Sequence, residues 1–194
     1  MNAPRLILAS GSRYRAELLA RFGLPFETVA PAVDESPLPG EAPAALAARL
    51  ANAKAEAGAH GQADALVIGS DQVAELDGHP VGKPADLAAA QAQLRAASGR
   101  WLLFHTGLTL FDSRDGHHSS IVDCTRVRFR TLAEAEIARY LERERPLDCA
   151  GSFKCEGLGI SLFERIETVD PTALIGLPLI QLAQLLRQRG VSVP

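Results

Sequence analysis

Cysteine is scarce in this sequence, and long apolar runs are absent. The 194 residues include three cysteines, at positions 124, 149 and 155, and their spacing matches no metal site. An odd number of cysteines in a chain without a recognisable signal peptide favours reduced thiols and a cytoplasmic location. No apolar run reaches the ~18 to 20 residues of a membrane span, so we expect no membrane partner.

Basic residues are not in excess either. The formal net charge is -3, which argues against a protein that coats nucleic acid. Arg126, Arg128 and Arg130 alternate along one predicted strand and could form an RNA-binding face, but no exposed aromatic residues are interleaved with them. We therefore predict no nucleic-acid partner. The pair His117-His118 lies in a predicted polar turn with no further ligand at a suitable spacing, so metal binding there is not favoured.

The hydrophobic content of 47% is enough for a sizeable core, and no segment has the composition of a flexible linker. Strands and helices alternate along the chain, which indicates an α/β fold in one domain spanning residues 1–194 or in two fused lobes. The periodicity predicts helices over 41–57 and 87–97 and a buried strand over 65–69. Extended segments over 72–76 and 80–81 flank a predicted tight turn at Asp77-Gly78, and strands over 101–111 and 119–130 form a hairpin. Residues 131–134 have the pattern of a capping box, and residues 148–160 form a glycine-rich segment that becomes a strand through Phe163.

An apolar strand near the start runs directly into a helix through the sequence Ser10-Gly11-Ser12-Arg13-Tyr14-Arg15. A helix start carries unpaired N–H groups and the positive end of the helix dipole, so it binds anions. Serine hydroxyls and arginines add donors and charge suited to phosphate. The alternative is an ordinary capped helix with surface arginines.

Three further charged residues have unusual positions. Lys54 lies on the inward stripe of its helix, so it must reach outward or meet a negative partner. Asp71 follows the buried strand 65–69, where it is either a functional acid or the cap of the next segment. Lys83, between a glycine and a proline, is either a phosphate-binding cation or a solvated loop lysine.

Seven short segments, taken together and in order, resemble the motifs of the Maf family of nucleotide pyrophosphatases; they are residues 10–15, 34–35, 53–54, 69–72, 82–84, 150–157 and 175–179. The resemblance implies an α/β fold like that of inosine triphosphatases: a bent mixed sheet flanked by helices, with two lobes and a central cleft. It also implies a homodimer, and hydrolysis of a nucleoside triphosphate between its α and β phosphates with a divalent metal, Mg²⁺ or Mn²⁺.

The resemblance also implies roles for individual residues. Phosphate binding falls to Ser10, Ser12, Arg15, Lys54 and Lys83. Asp71 matches the general base, and Glu35 is the second acid of a metal site with Asp71. Either acid could be the metal ligand or the base.

The set Tyr14, Gln72 and Glu156 resembles the branch of the family that hydrolyses 7-methyl-GTP, since members acting on pyrimidine triphosphates have arginine, threonine and glutamine there. A methylated guanine is cationic, so an aromatic ring and a carboxylate suit it. Tyrosine replaces the tryptophan more usual in that branch, and Arg13 replaces a proline. Tyr14 could instead pack on a neighbouring helix. The alternatives for the whole chain are hydrolysis of other nucleotides such as UTP or dTTP, or a nucleotide-binding regulator of cell division without turnover.

Overall fold

A seven-stranded mixed sheet lies at the centre of the protein in the computed structural model, which describes residues 4–193. The elements are β1 (Arg5–Ala9), α1 (Arg13–Ala20), β2 (Glu27–Val29), α2 (Pro43–Ala59), β3 (Ala65–Leu76), β4 (His79–Val81), α3 (Leu87–Ala97), β5 (Trp101–Asp112), β6 (His117–Phe129), α4 (Glu134–Glu144), β7 (Phe163–Glu167) and α5 (Leu179–Gln188). Short 3₁₀ helices cover Ala150–Ser152, Leu158–Leu162 and Ala173–Ile175.

The strand order is β2-β1-β3-β5-β6-β7, with β4 paired to β3 outside this path. Strand β1 runs parallel to β2 and β3, whereas β3, β5, β6 and β7 pair antiparallel in succession. The parallel part follows from the helical crossovers through α1 and α2. In the antiparallel part, short turns join β3 to β4 and β5 to β6, whereas α3 lies between β4 and β5 and α4 lies between β6 and β7. The predicted α/β fold with a mixed sheet flanked by helices is confirmed.

Helix α2 approaches the sheet without an intervening layer of side chains. A Cβ atom on Gly69 would overlap the backbone oxygen of Ala51, and one on Gly107 would overlap that of Ala47. Glycine is therefore required at both strand positions, because only its missing side chain lets the helix backbone lie this close. The close approach brings Lys54, one turn further along α2, over the middle of β3.

Two large apolar clusters share β3. Ile68, in its first half, packs in a cluster with Leu18 of α1 and Leu182 of α5. Ala74, in its second half, packs in another cluster with residues of α3 and α4. The polar residues 70–72 lie between these two halves of the strand. The assignment of the whole chain to one two-lobed domain stays a prediction.

Strand β3 unites the two predicted segments 65–69 and 72–76 in one strand, so the expectation that Asp71 lies at a strand end is wrong. The strand continues to Leu76 because β5 pairs along most of its length and β4 pairs with its last residues. The predicted turn before β4 is confirmed: Asp77 and Gly78 have φ angles of +52° and +81°. Helix α3 has exactly the predicted bounds.

Three local predictions are wrong. Residues His117 and His118 begin β6 instead of lying in the turn, because they pair with the end of β5. The capping box predicted at residues 131–134 lies two residues too early. Helix α4 begins at Glu134 and its N-cap is Ala133, whose N–H donates to the Glu136 carboxylate at 2.8 Å. Residues 158–162 form a 3₁₀ helix, and the strand begins only at Phe163.

The arginines of β6 are paired with acids of the neighbouring elements. Arg126 and Arg128 lie over the ring of Trp101 and form ion pairs with Glu167 and Glu164. The stripe that suggested an RNA-binding face therefore has its charge compensated within the chain. Among residues 4–193, no helix is both long and apolar enough to cross a membrane.

Candidate active site

The loop between β1 and α1 holds its own hydroxyls in place. Ser12 is the N-cap of α1, and its Oγ accepts from the N–H of Arg15 at 3.4 Å. The Oγ of Ser10 accepts from the N–H of Ser12 at 3.1 Å. Helix capping is thus one role of this motif, and the same contacts aim both hydroxyls at the cleft described below.

Arg15 is a cation held in one position. Its Nε donates to the Gly176 carbonyl at 2.9 Å, one terminal nitrogen donates to Ser10 Oγ at 3.3 Å, and the other lies 4.0 Å from Asp71 Oδ1. Burial lowers the pKa of the Arg15 guanidinium, against the opposing effect of Asp71 and Glu35. Because an arginine pKa starts so high, the group stays charged.

The ammonium group of Lys54 lies between two carboxylates. Its Nζ is 2.6 Å from Asp71 Oδ1 and 2.5 Å from Glu35 Oε1, and the residue is only 8% exposed. The inward lysine therefore meets negative partners, which is one of the two possibilities its position left open. The hydrogen bond from Lys54 holds the pKa of Glu35 below its ordinary value.

One oxygen of Asp71 is free to meet a ligand or water. Lys54 occupies Oδ1, while Oδ2 has no hydrogen-bond partner among residues 4–193. Within that range the one fully buried side-chain oxygen that lacks a partner is Gln181 Oε1. Oδ2 of Asp71 is therefore accessible, and Asp71 lines a cavity together with Glu35 and Lys83.

Lys83 is the third cation of the cleft, after Arg15 and Lys54. It lies on the exposed loop after β4, and its charge contributes to lowering the pKa of Glu35. It lines the same three adjoining cavities as Arg15, one of which also contains Ser10, Ser12 and Lys54. The structure thus brings all five predicted phosphate-binding residues to one cleft, which runs past Asp71.

The cleft continues into a cavity lined by Tyr14, Gln72 and Glu156, together with Phe104 and Phe153. Tyr14 faces this cavity instead of packing on a neighbouring helix. The side-chain Nε2 of Gln72 donates to the carbonyls of Ala173 and Leu174 at 2.8 and 3.1 Å. Gln72 therefore fastens the segment before α5 to the middle of β3 and lines the cavity at the same time.

Asp148, Cys149 and Phe104 also line this cavity, and sequence reasoning did not select them. Asp148 is the first residue of the glycine-rich segment 148–160, but it lies outside the family motif 150–157, and no spacing or periodicity marks it. Burial raises the pKa values of Cys149 and Cys155 to about 12. Burial thus favours the protonated thiols, which are poor nucleophiles.

The donor set suits a magnesium-like ion shared with a substrate. Asp71 and Glu35 both contact the Nζ atom of Lys54, so the two carboxylates lie side by side. No group of three or more His, Cys, Asp or Glu side chains that could hold a metal occurs in the described part of the chain. One or two carboxylates completed by substrate phosphates are how Mg²⁺ is commonly bound, so these residues fit.

The fold and this cleft define an α/β protein whose site gathers cations and carboxylates beside a partly aromatic cavity. The chain belongs to the family described as Maf-like protein, which matches residues 5–189. A protein of Xanthomonas oryzae pv. oryzae is 59% identical over 191 residues, covering 98% of this chain and 100% of that protein. Relatives from Thiobacillus denitrificans and Burkholderia pseudomallei are 56% and 57% identical, over 99% and 97% of this chain and 96% and 89% of their own lengths. All three are named 7-methyl-GTP pyrophosphatase.

Proposed function

We propose that this protein hydrolyses 7-methyl-GTP to 7-methyl-GMP and diphosphate. The observation that carries the proposal is the buried Lys54 ammonium shared by Asp71 and Glu35, in a cleft that continues into the cavity of Tyr14 and Glu156. A triphosphate in the cleft would place its base in that cavity. The names of the full-length relatives point to the same substrate.

The phosphate chain is bound by charge and by hydroxyl donors. Arg15 and Lys54 are fixed by their contacts, so they cost little reorganisation when charge develops on the departing diphosphate. Lys83 lies on an exposed loop and can follow the terminal phosphates. Ser10 and Ser12 add donors at the start of α1, where the helix dipole also favours an anion.

Asp71 is the group that takes the proton. The oxygen of a water molecule forms a new bond to the α phosphorus. The bond from the α phosphorus to the oxygen that bridges the α and β phosphates breaks, and diphosphate leaves with that oxygen. Oδ2 of Asp71 is accessible and accepts the proton released by the attacking water. Its Oδ1 stays bound to Lys54, which keeps the carboxylate oriented during the reaction.

A divalent cation, Mg²⁺ or Mn²⁺, would be held mainly by Glu35 and the substrate phosphates, with Asp71 as the second acid beside it. It would supply charge neutralisation and orientation of the phosphates. The two acids differ in their surroundings. Asp71 is nearly buried within a strand, whereas the Glu35 side chain is 59% exposed on a loop. This difference favours Asp71 as the base and Glu35 as the more adaptable ligand.

The base cavity suits a cationic purine. The ring of Tyr14 offers a π face that attracts a positive charge, and the Glu156 carboxylate can accept from the N1–H and amino group of guanine. The pyrimidines of UTP and dTTP lack that pair of donors and the positive charge of the methylated guanine, so both features disfavour them.

The first test compares kcat/KM for 7-methyl-GTP, GTP, UTP and dTTP, with Mg²⁺ and with Mn²⁺, by diphosphate release. We expect 7-methyl-GTP to be preferred. A preference for UTP or dTTP would overturn the assignment of the base. Nucleotide binding without diphosphate release from any of the four would instead indicate a regulator without turnover.

The matched variant is Asp71→Asn, which keeps the shape of the side chain and removes the base. We expect turnover to fall by at least about 10²-fold on all four nucleotides, in kcat more than in KM. A variant that loses activity on one nucleotide only would contradict the role of Asp71.

We further propose that the enzyme is a cytoplasmic homodimer, as the family resemblance implies. Light scattering of the purified protein at micromolar concentration tests the dimer, and a monomer mass would contradict it. Cell fractionation tests the location.

A further inference from the structure

The hydroxyl of Tyr14 is fully engaged by protein groups. It accepts a hydrogen bond from Arg13 at 2.8 Å and lies 2.8 Å from Asp148 Oδ2, to which it donates. Burial raises the pKa of Tyr14, so the hydroxyl keeps its proton at neutral pH. With both roles of the hydroxyl taken, the part of Tyr14 left for a ligand is its ring.

The guanidinium of Arg13 lies over the Tyr14 ring, 4.7 Å from its centre. One face of the ring is therefore already covered by a cation. A base in the cavity has to stack on the opposite face, and the tilt of the ring decides how well it can do so.

Asp148 is itself held from two sides. Lys154 Nζ lies 3.3 Å from Oδ1, and a terminal nitrogen of Arg13 lies 3.8 Å from Oδ2. Burial raises the pKa of the Asp148 carboxyl, but hydrogen bonds from Tyr14 and Lys154 outweigh this and hold it below its ordinary value. Asp148 is therefore a charged acceptor in a defined position.

These contacts join two distant parts of the chain, since Tyr14 is in the first turn of α1 and Asp148 is 134 residues later. The segment after Asp148 also carries Glu156, another of the three predicted base-selecting residues. The hydrogen bond thus sets the position of the ring relative to the carboxylate that would read the same base.

We propose that Asp148 is a positioning residue for substrate selection: through the Tyr14 hydroxyl it orients the ring on which the methylated guanine stacks. This inference rests on the proposed function. Asp148 acts on base preference and takes no part in the proton transfer at Asp71.

The test uses Asp148→Ala, Tyr14→Phe and their combination, with kcat/KM and dissociation constants measured for 7-methyl-GTP and GTP. Loss of one hydrogen bond at an ordered site should lower the preference for 7-methyl-GTP by about 3- to 10-fold in each single variant, through KM. The double variant should lose no more than either single one, because both break the same contact. Asp148→Asn retains an acceptor oxygen and should recover most of the preference.

Glu164→Gln is the control, because Glu164 of β7 pairs with Arg128 near the end of β6. This substitution should change neither kcat/KM nor the dissociation constant for either nucleotide. An unchanged preference in Asp148→Ala, or additive losses in the double variant, would overturn the inference. A wild-type protein with no preference for 7-methyl-GTP in either binding or turnover would overturn it as well. A wild-type protein that binds 7-methyl-GTP selectively but never releases diphosphate would contradict only the proposed function, since the binding measurements still test Asp148.

Discussion

At the scale of one residue, Lys54 carries the most deeply buried ammonium charge of the cleft. Its ammonium is almost removed from water, and two carboxylates compensate the cost. Removing one partner from such a buried arrangement is strongly destabilising, because the remaining charge keeps its desolvation penalty. Here Arg15, 4.0 Å from Asp71, offsets part of that penalty.

We therefore expect Lys54→Met to lower the free energy of unfolding by about 3 kcal/mol and to lower kcat by at least about 10²-fold. Urea denaturation and diphosphate release measure the two effects. Arg95→Met is the matched control: Arg95 pairs with Glu134 at an exposed site, where an ion pair contributes less than about 1 kcal/mol. Equal destabilisation of the two variants would contradict the argument.

At the scale of elements, α2 holds the loop that carries Glu35. Arg49 of α2 contacts both oxygens of Glu41 at 2.6 and 2.8 Å and donates to the Ser36 carbonyl at 3.0 Å. The hydrogen bonds from Arg49 lower the pKa of Glu41 from 4.5 to about 2. The loop is thus anchored to α2 directly after the position where Glu35 turns toward Lys54.

The sign of the resulting pH dependence follows from that lowered pKa. The contribution of Glu41 to stability is fully present above pH 4.5, and it is lost as the pH falls from there toward 2. We expect Glu41→Gln to have a lower Tm than the wild type at pH 7, with the difference shrinking below pH 4.5. Thermal melts between pH 7 and 2 check this, and a difference that is constant over this range would contradict it.

Helix α3 supports the cleft through one side chain. The amide of Gln93 donates to the Gly82 carbonyl at 3.1 Å and accepts from the buried Ser152 Oγ at 2.5 Å. Ser152 has a φ of +61°, a conformation that needs support from its surroundings. Gln93 therefore links the loop of Lys83 to the turn that forms the wall of the base cavity.

We expect Gln93→Ala to raise KM by about 3- to 10-fold for 7-methyl-GTP and GTP alike, leaving the preference between them unchanged. Gln91→Ala on the same helix is the control, because the side chain of Gln91 donates to the exposed Glu134 and does not line the cleft cavities. Steady-state kinetics give KM of the two variants for 7-methyl-GTP and for GTP. If both behave alike, the link through α3 does not matter for binding.

At the scale of the whole molecule, the cleft is assembled from segments that only the fold brings together: the β1–α1 loop, the middle of β3, the loop after β4, and residues 148–156. A ligand that contacts all of them stabilises the folded state by mass action. The inactive variant Asp71→Asn allows this to be measured with the substrate itself.

We expect 7-methyl-GTP at about 100 times its Kd to raise the Tm of Asp71→Asn by about 5 to 10 °C, from ~2.7 kcal/mol of binding linkage in a chain of this size. GTP at the same concentration should raise it less. Equal shifts with 7-methyl-GTP and UTP would contradict the proposed base selection.

Much of the local structure could be predicted because its causes are local. The bounds of α3, the turn at Asp77-Gly78 and the inward position of Lys54 follow from periodicity, caps and turn chemistry. The ordered motifs were enough to indicate the family and a site containing Asp71 and Lys54. Local patterns failed where strand pairing makes an element continuous, because pairing with β4 and β5 continues β3 beyond Asp71.

The sequence by itself thus determined the alternation of elements and the supply of cations, hydroxyls and acids. Only the tertiary structure decided which of them meet: Lys54 between Asp71 and Glu35, Gln72 on the carbonyls of residues 173 and 174, and Tyr14 on Asp148. Those contacts join positions 17 to 134 residues apart. No local rule relates such positions, because their distance is set by how the helices and sheet pack.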